Sequence, residues 1–134
     1  MSASNYLENA VLDHILGGPD FTRPASVFLA LFTTNPGETA TGTEVSTSGT
    51  GYARVEVTND DQNWPASSGG VKSNALVIAF PQATATWNTV THYAMFDAAT
   101  AGNMLFYSPL TQSRNVPAGD APRFLAGQLT FTAD

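Results

Sequence analysis

Near the start of the chain Leu7, Val11 and Ile15 recur every four residues, and Leu12 and Leu16 widen them into a stripe. That spacing places apolar side chains on one face of a helix and predicts one over 5–16. Ser4 or Asn5 can act as N-cap for the first unpaired backbone N–H groups, and Glu8, three residues after Asn5, resembles the carboxylate half of a capping box. Gly17-Gly18-Pro19 ends the helix, since glycine enters the left-handed conformation at little cost and proline cannot continue it. Three turns of helix are marginal alone. The stripe is therefore expected to dock, either on this chain's own sheet or on a neighbouring subunit.

Beyond it the period changes from near 3.6 to 2. Residues 26–33 (SVFLALFT) are apolar on both faces, with Val27, Leu29 and Leu31 on one and Phe28, Ala30 and Phe32 on the other. Such a strand is central, or has one face covered by a further layer. Residues 52–58 (YARVEVT) alternate, which predicts Ala53, Val55 and Val57 inward and Tyr52, Arg54 and Glu56 outward. Further strands are predicted at 74–80, 89–96, 103–108, 111–116 and 123–132, the last with Leu125, Leu129 and Phe131 on one face and Gly127 at a bulge. Residues 97–103 read as a hairpin loop and Ala118-Gly119-Asp120 as another turn. Residues 34–51 and 59–73 contain few large apolar side chains and read as long loops, either arms reaching neighbours or flexible surface segments. Together these elements predict one domain over 1–134 of the all-β class, mainly antiparallel. Its body, over 26–132, is a β-sandwich or barrel of seven to eight strands, the sandwich preferred, behind one short N-terminal helix.

Composition narrows the partners. Five basic against eleven acidic residues give a net charge of −6, and Arg23, Arg54, Lys72, Arg114 and Arg123 are scattered singly. A domain that grips nucleic acid needs a basic stripe to displace counterions, so neither nucleic acid nor an anionic membrane is an expected partner. Charged residues make up only 12% of the chain, about half the usual share. Thr, Ser, Asn, Ala and Gly take their place, as suits a surface covered by partners or the hydroxyl-rich skin of an extracellular β domain. The N-terminal segment lacks the basic start and uninterrupted apolar run of a signal peptide.

Candidate chemistry is sparse. There is no cysteine, so thiolate metal sites are excluded. His14 and His92 have no G-x-S-x-G serine to serve, and bonding to neighbouring groups is the expectation for both. Asp60-Asp61 is the one adjacent carboxylate pair; it lacks EF-hand spacing and reads as a solvated turn before a calcium site. The glycine-rich loops lack the lysine of a phosphate cradle. No catalytic residue, cofactor or metal ligand is expected. What remains are interface candidates: Leu7, Val11 and Ile15 on the helix, Trp64 and Trp87 as loop or strand-edge anchors, and Arg54 with a partner such as Glu44. A forked bond from Arg54 to Glu44 or Asp97 could hold the long loop or a neighbour down; the alternative is a solvated rim pair contributing about 1 kcal/mol or less.

The segments SASNYLENAVLDHILGG, VFLALFTTNPG, GTEVSTSGTGYARVEV and WNTVTHYAMFDAATAGNMLFYSPLT, in that order, resemble a widespread family of small bacteriophage proteins usually labelled tail fibre or virion structural proteins. The loop from Ser46 to Gly51 is longer than that family's usual glycine-rich turn. The resemblance implies a non-enzymatic virion protein that assembles with itself, as a trimer, and with the major capsid protein or other virion proteins. Small size, low charge and the absence of fibrous repeats favour a head cement (decoration) protein on the capsid surface. A tail fibre or tail-tip component contacting the host is the alternative. A lectin-like carbohydrate-binding module, with Trp64 and Trp87 flanking a groove, is the second.

Overall fold

The computed structural model describes residues 1–133, and they form a two-layered, mostly antiparallel β structure with one helix. Strand β1 (Ser2–Ala3) leads into α1 (Asn5–Ile15), followed by β2 (Ser26–Phe32), β3 (Val55–Thr58), β4 (Val71–Ser73), β5 (Ile78–Ala79), β6 (Asn88–Phe96), β7 (Met104–Val116), β8 (Arg123–Phe124) and β9 (Thr130–Thr132). Five strands make the main sheet in the order β1-β7-β6-β2-β3, while β4-β9 and β5-β8 form two short ribbons. The main sheet ends at β1 and β3 and does not close into a barrel.

β2 and β6 are apolar on both faces because both faces are covered. On one, Val27, Leu29 and Leu31 join Val90, Met95, Leu105 and Val116 in the principal core, which the side chains of Trp64, Ile78, Phe80, Trp87 and Leu129 complete from the second layer. On the other, Ala30, Phe32, Ala94, Phe96 and Met104 form a smaller cluster against Ala40. The segment that packs there is the first long loop. Its residues 43–45 run antiparallel to the end of β2, with Thr33 N–H to Thr43 O at 2.9 Å and Val45 N–H to Leu31 O at 2.9 Å. Residues 34–51 are thus bound to their own sheet rather than extended as an arm.

Several predicted strands change shape. Residues 52–54 are not in a strand: Gly51 has φ +74 and breaks the extended run before it, so β3 begins at Val55 and Tyr52 turns inward, 4% exposed. In 74–80 only Ile78–Ala79 pairs; the buried Asn74 amide donates to the carbonyls of Leu76 at 2.9 Å and Leu125 at 3.0 Å and bends the chain. The same amide accepts from Leu129 N–H at 3.0 Å, and the predicted strand 123–132 accordingly splits into β8 and β9 around a turn holding Gly127 at φ +79. The second long loop contains β4, which pairs with β9. Strands 103–108 and 111–116 are one element, β7, with an irregularity where they meet: Val90 pairs with Arg114 and His92 with Pro109, leaving four residues of β7 opposite Thr91. Proline has no N–H for the ladder, so the break falls there.

Candidate interaction surface

The N-terminus is fixed by one buried serine. Ser4 N–H donates to Leu105 O at 2.9 Å, continuing the β1–β7 ladder, and its hydroxyl donates to Met104 O while accepting from Leu7 N–H at 3.2 Å. Ser4, 1% exposed, therefore ends a strand and caps α1 at once. With the cap at Ser4, Leu7 occupies the third helical position, so Glu8 is not its reciprocal partner. At the other end Gly18 N–H bonds Asp13 O at 2.7 Å. A Cβ on Gly18 would lie 2.5 Å from that of Asp13, so only glycine fits the turn.

The apolar stripe leaves the body as it runs. Along it Leu7 is 9% exposed, Val11 41% and Ile15 68%, and Leu12 and Leu16 project beside them. Under its first turns lies an open, almost wholly apolar groove of about 300 Å³. Leu7 and Val11 form one wall; Val27, Met95, Leu105 and Phe106 of the sheet form the floor. Trp64 and Phe131, in edge contact at 5.5 Å between ring centres, also line it, together with Phe21, Arg23, Pro24, Asn59 and Lys72. The Trp64 indole N–H is the one buried side-chain donor without a partner among the described residues. Neither Arg23 nor Lys72 has a carboxylate within salt-bridge distance among those residues. A second exposed aliphatic cluster, Leu76, Val77 and Leu125, flanks the β5–β8 ribbon.

Arg54 and Glu44 meet through a forked bond inside the chain. Arg54 Nε reaches Glu44 Oε2 at 3.0 Å and Nη2 reaches Oε1 at 2.9 Å. Nη1 donates to the carbonyls of Ala98 and Ala101 at 2.9 Å each, and the guanidinium lies 3.7 Å over the Phe96 ring. Tyr52 donates to Glu44 Oε2 at 2.7 Å and accepts from Leu31 N–H at 3.0 Å. With the Arg54 side chain 7% exposed, this is no solvated rim pair: it joins the first long loop, the 97–103 hairpin loop and the sheet. Asp97, the other proposed partner, instead accepts from Asn103 N–H at 2.7 Å and shapes the hairpin.

The tryptophans are core residues. Trp64 is 6% and Trp87 2% exposed, and Trp87 Nε1 donates to Thr50 O at 2.8 Å. Neither stands as a surface anchor, which removes the feature a carbohydrate-binding reading rested on: each lies at a loop or strand edge in sequence, but the indoles themselves fill the second layer. The remaining ionisable groups make local bonds. Asp60 accepts from Asn63 N–H at 2.9 Å, which with the Asn63 amide holds its carboxyl below the ordinary range. His14 Nδ1 accepts from Phe21 N–H at 3.1 Å, and His92 Nδ1 lies 2.8 Å from Thr91 Oγ1. No group of three or more His, Cys, Asp or Glu converges among the described residues, and no helix is long and apolar enough to cross a membrane.

A protein-family model described as Podophage GP4 fiber I protein gp80 matches residues 2–132. No curated protein matches the chain.

Proposed function

The chain belongs to the podophage fiber family whose model spans it, which makes it a phage virion structural protein, and we propose that within the virion it is a non-catalytic module of the tail fibre apparatus. The observation that carries this reading is the extent of the family match, from the first strand to the last. The architecture supports a compact connector or end module rather than a shaft: it has a two-layered body, and its sequence lacks the heptads or glycine-punctuated repeats from which a fibrous stem is wound. Its exposed apolar side chains lie together on α1 and beside β5, and contiguous exposed apolar patches mark contact surfaces. Catalysis is not part of the reading, since the histidines and Asp60, Asp97 and Asp120 are occupied in local hydrogen bonds.

The composition and size that favoured a capsid cement protein fit a fibre module equally well, and the family description favours the tail. Gold-labelled antibody against this chain, applied to intact virions, is expected to decorate the tail. Labelling spread over the capsid faces would overturn the tail position in favour of cement.

A further inference from the structure

We propose that the exposed C-terminal half of α1 docks in the apolar groove of a second copy of this chain. The two surfaces are complementary in two respects. The groove is lined by Leu7, Val27, Met95, Leu105 and Phe131 and has an open volume of about 300 Å³, while Ile15 and Leu16, 68% and 75% exposed, are the most exposed large apolar side chains among the described residues. In charge, only five basic residues exist, yet two of them, Arg23 and Lys72, stand at the groove without a carboxylate among the described residues. The helix end brings Asp13 and the negative pole of the helix dipole.

The chain cannot fill its own groove with Ile15 and Leu16, because its helix lies along the groove at Leu7 and Val11 and has left the body by Ile15. Helix end and groove are different surfaces, so the contact closes into a ring, is exchanged between two copies, or propagates as an open filament. It is a property of the isolated chain and does not depend on where in the virion the protein sits.

Light scattering on the purified full chain is expected to show an oligomer at tens of micromolar. Ile15→Lys with Leu16→Lys should weaken association at least ~100-fold and leave circular dichroism unchanged, since neither side chain is in the core and cations suit the C-terminal end of a helix. Because the native chain has no cysteine, docking can be read directly: a Leu16→Cys chain mixed with a Lys72→Cys chain should be joined by a short bismaleimide. A wild-type chain that stays monomeric to millimolar concentration overturns the proposal. So does an oligomer indifferent to the double lysine variant, or one that links Leu16→Cys only to itself.

Discussion

Arg54 shows how one side chain can hold several segments. Its four hydrogen bonds and its place over Phe96 require a planar fork with donors on three sides. Lysine offers a single point charge and cannot make the fork or the stacking contact. Arg54→Lys is expected to destabilise the protein by about 1–3 kcal/mol, because it unpairs part of the partly buried Glu44 carboxylate and two backbone carbonyls. Urea unfolding followed by fluorescence measures this, and a loss under about 0.5 kcal/mol would mean that the pair behaves as a rim interaction. For Arg54 the sequence left Glu44 and Asp97 open as partners, and the fold selects Glu44 because Asp97 is taken by Asn103. Tyr52 was not legible: alternation placed it outward with Arg54, and only the glycine turn before it, followed by a hydroxyl in reach of Leu31 and Glu44, turns it in. Asn74 was also missed, since an asparagine heading an apolar run gives no hint that its amide will bond three backbone segments.

Among the elements, those fixed by local signals were legible and those fixed by distant partners were not. α1, β2 and β6 follow from periodicity, and the 97–103 hairpin from its turn residues. β1 and β4 are two or three residues long and extended only because another segment pairs with them, whereas β9 is the end of the strand predicted over 123–132. The helix was legible as amphipathic, but whether its stripe lands on the body depends on where Ser4 pins its start. β7 is the instructive middle case. Its two predicted halves form one strand with residues 110–113 opposite a single residue of β6, and residues 111–115 are solvent-exposed throughout. Amides in 111–113 should therefore exchange with solvent at least ~10²-fold faster than those of Ala94 and Met95, whose strand is flanked on both sides. Equal protection in the purified protein would mean that another chain covers this stretch, contrary to the surface described above.

At the scale of the molecule, the few shifted ionisable groups shape how stability depends on pH. Burial holds the His92 pKa below its ordinary 6.5, in mid-sheet between Phe32 and Pro109. The unfolded chain therefore binds that proton more readily than the folded one, so stability falls as pH drops below about 6.5 and levels off below the folded value. Asp120, held below its ordinary 3.8 first by the Arg114 hydrogen bond, adds stability that is full above 3.8 and vanishes as pH falls through its folded value. Asp60 acts in the same direction. On the alkaline side burial raises both Tyr52 and Tyr93 above their ordinary 10, so above pH 10 the unfolded chain loses their protons first and stability falls again. The expected profile is a plateau between about pH 7 and 10 with two separate acid steps. Urea midpoints measured from pH 3 to 11 trace it, and His92→Gln should remove the upper acid step while leaving the lower one. Persistence of the upper step in that variant would assign it to another group.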